Sequence, residues 1–209
     1  MHTATGLYAS EDVESEPYPG AALLHCCAFD TFSIDGQRTA VLGSITPWIE
    51  AIVFHYGGVD ITTVEYNVPK CQHPLLNTID YDTFATHTDE SANLGTFDVV
   101  VTYSSVEHAG LGRYGDELDP DADLATMHAI RRRLSPGGLL FWGAPVGQDG
   151  LMWNAMRIYG HKRLKVLWEG FEVLQWFGHN ESVLDEAPLW EWTNQPIVVL
   201  RKVESKETV

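Results

Sequence analysis

The sequence has few cysteines and few basic residues, and each shortage excludes a class of protein. Three cysteines in 209 residues form no disulfide framework, and the adjacent pair Cys26 and Cys27 matches no common zinc-ligand spacing. This usage predicts buried structural thiols in a reduced, cytoplasmic protein. The chain has 13 Lys and Arg against 29 Asp and Glu, a formal net charge of −16. Such a balance argues against nucleic acid and against an anionic membrane surface as partners.

Long apolar runs are also missing. No stretch approaches the roughly 20 apolar residues of a membrane span. The first twenty residues are acidic and lack an apolar core, so the sequence predicts no secretory leader. A content of 44% hydrophobic and 20% charged residues favours one globular domain. We expect a lead-in or lid segment at 1–32, the main domain at 33–203 and a tail at 204–209.

The stretch from 38 to 67 predicts a βαβ unit around which the rest of the chain is arranged. A short β-branched and apolar strand ends at Gly43, Thr46 is placed to cap a helix, and two glycines end that helix. A second strand ends at Glu65, 22 residues beyond Gly43. At this spacing a βαβ unit places an acid against the hydroxyls of a ribose.

The remaining pattern alternates strands and helices and predicts an α/β protein. We expect helices at 21–29, 121–134 and 153–168, the last with a break near Gly160, and strands at 75–79, 97–103, 139–142, 171–177 and 197–202. No convincing helix separates the last two strands, so we expect them to be antiparallel. The fold class is a doubly wound, mostly parallel Rossmann-like sheet with a C-terminal antiparallel strand. Ligands of such sheets bind beyond the carboxyl ends of the strands, where the loops after residues 42, 64, 103 and 142 converge.

Several passages resemble class I S-adenosylmethionine-dependent methyltransferases. They are the turn VLGS (41–44), the acid that ends the second strand, and the pairing of FDVVVTYSSVEH (97–108) with LSPGGLLFWGAPVG (134–147). More narrowly, GSITPWIEA (43–51), SSVEHAGLGRYGDELDPDAD (104–123) and WNAMRIYG (153–160) are similar to motifs of a methyltransferase-like family of unknown function. The resemblance covers about 33–177 and implies the class I methyltransferase fold.

The resemblance implies S-adenosylmethionine as cofactor and assigns roles to the residues that match. Gly43 and Ser44 would line its methionine part, Glu65 would accept hydrogen bonds from its ribose, and Tyr66 would flank its adenine. The other implied cofactor-binding residues are Asp80, Tyr103 and Ser104. A solvated strand-end acid at Glu65 and a plain surface turn at Asp80 are the alternative interpretations.

One departure from the methyltransferase pattern concerns the first turn. Methyltransferases usually carry further glycines there, whereas Ile45 and Pro47 occupy those places and Gly43 stands alone. A Cβ atom narrows the approach of a ligand to the backbone. The substitution predicts either an altered mode of cofactor binding or no binding.

His108 is the expected catalytic base. Methyl transfer to a hydroxyl requires a group that takes the hydroxyl proton, and histidine suits that task because it titrates near neutral pH. His108 follows the fourth strand, and Glu107 is placed to orient it. A purely structural histidine–carboxylate pair is the alternative.

A polar loop and the segment after residue 153 supply the expected substrate contacts. We expect four residues to contact a small or carbohydrate-like acceptor: Arg113, Tyr114, Asn154 and Arg157. Arg157 could instead pair with loop carboxylates as a structural clamp.

The acids of the same loop are better explained as helix caps than as metal ligands. Asp116, Asp119, Asp121 and Asp123 offer oxygen ligands for Mg²⁺, but their spacing matches no EF-hand loop. We therefore assign no metal site.

The function predicted from the sequence is S-adenosylmethionine-dependent methyl transfer, with O-methylation of a small or carbohydrate-like acceptor and His108 as base. The alternative is a non-catalytic protein that keeps the methyltransferase fold for binding or assembly. A nicotinamide-dependent oxidoreductase is disfavoured because its G-x-G-x-x-G signature is absent.

Overall fold

A computed structural model describes residues 18–67, 73–86, 94–187 and 195–203. Its helices are α1 (Ala21–Thr31), α2 (Trp48–His55), α3 (Tyr81–Ala85), α4 (Ala122–Arg133) and α5 (His161–Leu167). Its strands are β1 (Arg38–Leu42), β2 (Val59–Glu65), β3 (Leu76–Asp80), β4 (Phe97–Tyr103), β5 (Leu134–Gly143), β6 (Gly150–Met152), β7 (Met156–Ile158), β8 (Phe171–Phe177) and β9 (Ile197–Lys202). Single 3₁₀ turns occupy Val106–His108 and Glu181–Asp185.

Seven of these strands form one sheet in the order β3-β2-β1-β4-β5-β9-β8. The pairs among β1 to β5 are parallel, and β9 is antiparallel to both of its neighbours. The prediction of a doubly wound, mostly parallel sheet with a C-terminal antiparallel strand is therefore confirmed. The order reverses between β1 and β4, so the carboxyl ends of these two strands flank the switch point at which such sheets bind ligands.

Alternate residues of the central strands pack into two hydrophobic layers, one on each face of the sheet. Ala40 and Leu42 of β1 contact the layer that contains α3, α4 and α5, whereas Val41 contacts the layer that contains α1 and α2. In β4 every residue but Asp98 is buried, which is why its sequence reads as a nearly continuous apolar run. Packing on both faces of the sheet thus positions the strand ends beneath the loops that follow them.

Helix α1 packs on the sheet through a face that includes one of the predicted structural thiols. Cys26 is buried with Phe29 against the sheet, as predicted, but Cys27 is exposed, so the prediction of buried thiols was wrong for that residue. Cys71 lies outside the described residues. No helix in the described part of the chain is long and apolar enough to span a membrane.

The predicted helix over 153–168 was wrong in its first half. Residues 150–158 form the β6–β7 hairpin, and only α5 is helical. The hairpin is fixed by contacts distant in sequence, because Ala155 and Arg157 bond to the loop that follows β4. Helix α5 begins where the Asp149 carboxylate accepts hydrogen bonds from the N–H groups of Gly160, Lys162 and Arg163. Contacts with residues distant in sequence therefore give a hairpin where a helix was predicted.

The capping prediction at Thr46 was also wrong. Helix α2 begins at Trp48, Pro47 occupies the N-cap position, and the Thr46 side chain makes no capping hydrogen bond. The carbonyl of Thr46 is used instead, since it accepts a hydrogen bond from the Ser44 hydroxyl. The turn between β1 and α2 is therefore one residue longer than the sequence suggested.

Candidate functional site

A cavity of about 300 Å³ lies beyond the carboxyl ends of β1, β2 and β4. It is lined by Tyr18, Gly43, Ile45, Glu65, Tyr66, Asn67, Ser104, Ser105, His108, Ala109, Tyr114 and Asp116. A smaller hollow of about 30 Å³ adjoins it and shares Gly43, Glu65, Tyr66, Ser105 and Ala109 with it. We call the larger space the crevice. It brings together predicted residues from three separate stretches of sequence.

The turn after β1 forms one wall of the crevice. Gly43 has a φ of +80°, and a Cβ atom at this position would overlap the Ser105 side chain. Both the backbone conformation and the lack of space therefore require glycine here. The Gly43 N–H donates to the Val64 carbonyl at 3.1 Å, which ties the turn to β2. Ile45 is 78% exposed and forms the outer edge of the same wall.

Ser44 lies in this turn but its side chain points to the protein interior. Ser44 is only 2% exposed, and its Oγ lies 2.7 Å from Oε2 of Glu50 and 2.8 Å from the Thr46 carbonyl oxygen. The Thr63 hydroxyl donates to the other Glu50 oxygen at 2.6 Å. Glu50 was missed by the sequence interpretation. The available signal was an acid in the strongly apolar helix WIEAIVFH.

Glu65 ends β2 and lines the crevice with a half-buried carboxylate. Its Oε2 accepts a hydrogen bond from the N–H of Tyr66 at 3.1 Å. Burial raises the pKa of Glu65, and an ionised Glu50 would act in the same direction. Tyr66 stacks on Tyr81, with ring centroids 4.7 Å apart and planes 28° apart. An acceptor oxygen and a flat aromatic surface therefore stand next to each other at this end of the crevice.

Asp80 pairs with Glu65 in the register of β2 and β3 but does not line the crevice. Its carboxylate caps α3, where it accepts hydrogen bonds from the N–H of Thr83 at 2.7 Å and from the Thr83 hydroxyl at 2.9 Å. These bonds lower the pKa of Asp80. In this structure the side chain serves the helix N-terminus rather than the crevice.

The segment after β4 forms the opposite wall. Ser104 has a φ of +51°, and its hydroxyl donates to Oε1 of Glu107 at 2.9 Å. Glu107 is fully buried, its Oε2 has no hydrogen-bond partner among the described residues, and burial raises its pKa. A carboxyl group in this position is costly to ionise unless a cation forms beside it.

His108 is the group that can supply such a cation. Its Nδ1 lies 2.6 Å from the Ala155 carbonyl oxygen, which can only accept, so Nδ1 carries a proton. Its Nε2 lies 3.5 Å from Oε1 of Glu107, and the ring contacts Tyr114 edge to face. In the neutral ring the lone pair therefore belongs to Nε2. The pair predicted from the sequence is present in the structure, and His108 lines the crevice.

Tyr103 lies away from the crevice although Ser104 lines it. Its ring packs against Gly143, and its hydroxyl donates to the Gln195 carbonyl at 3.2 Å. It borders a second space of about 930 Å³ between α1 and the ends of β4 and β8. Tyr18 lines both spaces and its ring lies 5.5 Å from that of Tyr103.

The residues predicted to contact substrate fall into different places. Tyr114 lines the crevice and is 55% exposed, and the Arg113 guanidinium lies 5.7 Å from the centre of its ring. Asn154 is exposed at the tip of the β6–β7 hairpin and does not line the crevice. The structure therefore brings Tyr114 to the crevice, places Arg113 beside the Tyr114 ring but not in the crevice lining, and leaves Asn154 outside.

Arg157 is buried behind the crevice wall. Its guanidinium donates to the carbonyls of Ala109, Asp119 and Pro120 at 2.5, 3.3 and 3.1 Å, and it also reaches the Glu107 carbonyl at 3.4 Å. Its Nε lies 3.6 Å from the buried carboxylate of Asp123. These contacts correspond to the structural clamp that the sequence analysis left open as the alternative.

The acids of the loop after β4 bond to protein groups rather than converge. Asp116 accepts from the N–H groups of Gly112 and Tyr114, and Asp123 pairs with Arg163. Among the residues the structure describes, no group of three His, Cys, Asp or Glu side chains is placed to hold a metal ion.

With this geometry established, comparison with known proteins places the chain. Residues 36–198 match the family DUF268, described as Caenorhabditis protein of unknown function. The chain belongs to this family. The match includes the first turn, the end of β2 and the segment after β4, so every crevice-lining residue except Tyr18 lies within the DUF268 region. No curated protein matches the sequence.

Solved structures relate this DUF268 chain to methyltransferases. The N-methyltransferase NodS from Bradyrhizobium japonicum WM9, in complex with S-adenosyl-L-homocysteine, is 13% identical with a TM-score of 0.59, over 94% of both chains. The Burkholderia thailandensis 1,6-didemethyltoxoflavin-N1-methyltransferase is 15% identical with a TM-score of 0.59, over 93% of this chain and 82% of the other. The [4+2]-cyclase SpnF is 17% identical with a TM-score of 0.59, over 88% and 82%. At these identities the likeness shows the fold, which is that of the class I S-adenosylmethionine-dependent methyltransferases.

Proposed function

We propose that this DUF268 protein is an S-adenosylmethionine-dependent methyltransferase that methylates an oxygen of a small or carbohydrate-like acceptor. The observation that carries the proposal is the position of Glu65. Its half-buried carboxylate ends β2 and lines the same crevice as Gly43 and His108. In a doubly wound sheet an acid at this place is suited to accept hydrogen bonds from ribose hydroxyls.

The residues of the crevice fit the cofactor in three respects. The volume of about 300 Å³, open to the adjoining hollow, falls at the lower end of the range of ligand pockets. Glu65 supplies an acceptor for the sugar, and the Tyr66–Tyr81 stack supplies an aromatic surface for a base. When bound, the cofactor supplies a methyl group on a sulfonium, an electrophile that needs only a nucleophile in line with it.

His108 is proposed to take the proton of the acceptor hydroxyl. Because Nδ1 is committed to the Ala155 carbonyl, Nε2 is the atom that accepts the proton. The resulting imidazolium lies 3.5 Å from Oε1 of Glu107, which stabilises the positive charge once Glu107 is ionised. Tyr114 contacts the His108 ring and lines the crevice, so it is placed to limit the acceptor poses that reach Nε2.

A second candidate function is binding without methyl transfer. It is favoured by the first turn, where Ser105 fills the space above Gly43 and Ile45 stands where methyltransferases usually have glycine. The likeness to a [4+2]-cyclase also shows that this fold serves other reactions.

Isothermal titration with S-adenosylmethionine and S-adenosylhomocysteine tests the cofactor binding that the methyltransferase proposal requires. The methyltransferase proposal predicts saturable binding of both, and Glu65→Gln should weaken it about tenfold or more because a charge-assisted acceptor is lost. Glu169→Gln is the matched control, since it removes one exposed carboxylate just before β8, at the opposite edge of the sheet. No binding at millimolar ligand, or equal binding by wild type and Glu65→Gln, would contradict the proposal.

A further inference from the structure

Glu50 is a buried acid that the proposed mechanism does not use. It lies in the first turn of α2, is 1% exposed, and makes no salt bridge in the described part of the chain. Its contacts are two hydroxyl groups, Ser44 on the turn after β1 and Thr63 on β2. A buried carboxylate without a cation is expensive, so the position of its proton has to be explained.

A count of protons in these contacts indicates that Glu50 is protonated. Ser44 Oγ lies 2.7 Å from Glu50 Oε2 and 2.8 Å from the Thr46 carbonyl oxygen, but a hydroxyl has one proton. With an ionised Glu50, one of these two close contacts would join two acceptors with no proton between them. With a proton on Oε2, Glu50 donates to Ser44, Ser44 donates to the Thr46 carbonyl, and Thr63 donates to Oε1. Every contact then has its donor.

We propose that Glu50 is a positioning residue that works in its protonated form and holds the Gly43 wall of the crevice to β2; the ligand part of this inference rests on the proposed function. Ser44 adjoins Gly43, and Thr63 stands two residues before Glu65. One neutral carboxyl group therefore joins the two segments that carry the backbone wall and the sugar acceptor of the crevice. This bridge holds in place a first turn that has lost the usual glycines.

The electrostatics of the neighbouring acid agree with this assignment. Burial raises the pKa of Glu50, and an ionised Glu50 would raise the pKa of Glu65 further. The titratable group that faces Glu50 from β2 is thus Glu65, while its direct contacts on the turn and on β2 are hydroxyls. A neutral Glu50 leaves Glu65 free to ionise and to act as a strong acceptor.

Infrared difference spectroscopy tests the protonation directly. The spectrum of wild type minus Glu50→Gln at pH 7 should contain the carbonyl stretch of a protonated carboxylic acid and no carboxylate bands. Glu169→Gln is the control, because the same subtraction for an exposed glutamate should give carboxylate bands. Carboxylate bands in the Glu50 difference spectrum would overturn the proposal.

Hydrogen exchange and ligand affinity test the positioning role. Glu50→Gln keeps a donor for Ser44 and an acceptor for Thr63, so the Gly43 amide should stay protected and the dissociation constant for S-adenosylhomocysteine should stay within about threefold. Glu50→Ala should raise Gly43 exchange and weaken binding about tenfold or more. If Glu50→Ala does not fold, Ser44→Ala provides the same test through one lost contact.

The outcomes separate this inference from the proposed function. If wild type binds no S-adenosylhomocysteine, the proposed function fails, while the infrared band and the exchange of the Gly43 amide still decide the role of Glu50. Unchanged Gly43 exchange in both Glu50→Ala and Ser44→Ala would overturn the positioning role.

Discussion

Replacing Arg157 with alanine distinguishes a structural clamp from a substrate contact. The side chain is 8% exposed and donates to carbonyls on both sides of the loop that follows β4, at Ala109 and at Asp119 and Pro120. Its removal leaves these carbonyls without their donor and takes one cation away from the buried carboxylate of Asp123. Breaking a buried charged contact of this kind costs about 3–5 kcal/mol.

The expected loss is large enough to be measured easily. For a domain of this size a change of 1 kcal/mol moves Tm by about 2–4 °C, so we expect Arg157→Ala to lower Tm by roughly 6–20 °C. Urea unfolding followed by tryptophan fluorescence gives the free energy of unfolding, and differential scanning fluorimetry gives Tm. Arg157→Lys keeps the charge but not the planar fork, and should recover part of the loss.

An exposed pair provides the matched control. Arg201 contacts Glu172 at 2.6 Å with both side chains about half exposed, so Arg201→Ala should cost less than about 1 kcal/mol. The reasoning is refuted if Arg157→Ala changes the free energy of unfolding by no more than Arg201→Ala does. Loss of acceptor methylation with full stability would instead assign Arg157 to the substrate.

Three further predictions concern acids and the first turn. Burial raises the pKa of Glu107 above 4.5, so its contribution to stability is present below pH 4.5 and is lost as the pH rises toward the folded-state pKa, at up to about 1.4 kcal/mol per pH unit. Glu107→Gln should abolish this pH dependence of the unfolding free energy, measured by urea titration at several pH values. The readout is the difference between wild type and variant, because buried His25, whose pKa falls from 6.5 to about 4, adds the opposite slope to both proteins. Parallel plots of unfolding free energy against pH for the two proteins would contradict the prediction. Asp80→Ala should lower the unfolding free energy by about 0.5–2 kcal/mol through the lost α3 cap and should not change the affinity for S-adenosylhomocysteine. A tenfold weaker affinity would show that Asp80 contributes to cofactor binding. Gly43→Ala should lower the unfolding free energy by about 1–3 kcal/mol more than Gly137→Ala does in the same assay. Both glycines have φ near +70 to +80°, but only at position 43 would the added Cβ atom overlap another side chain, that of Ser105. Equal losses would show that Ser105 moves aside.

Local sequence patterns predicted the fold because buried strands give apolar runs and glycines mark the turns. The strand at 97–103 was predicted to the residue, since burial on both faces leaves an unbroken apolar run between polar loops. The two C-terminal strands were also predicted with their bounds, and the missing helix between them indicated that they are antiparallel. The end of α2 just before Gly57, where φ is +83°, followed from the conformational freedom of glycine.

Contacts between distant residues explain what the sequence did not show. The β6–β7 hairpin overlaps the stretch predicted as a helix from 153 onward, and its bonds to the loop after β4 fix it as strands. The direction of a side chain at a turn is equally hidden, so Ser44 and Glu65 looked alike as crevice residues although Ser44 faces Glu50. Likewise, nothing local distinguishes Tyr103, which faces a different cavity, from Ser104.

The most direct measurement is a crystal structure of the protein soaked with S-adenosylhomocysteine. The proposed function predicts density for the nucleoside in the crevice, with both ribose hydroxyls within hydrogen-bond distance of the Glu65 carboxylate and the sulfur facing His108. An empty crevice at saturating ligand, or a nucleoside whose ribose lies away from Glu65, would contradict it.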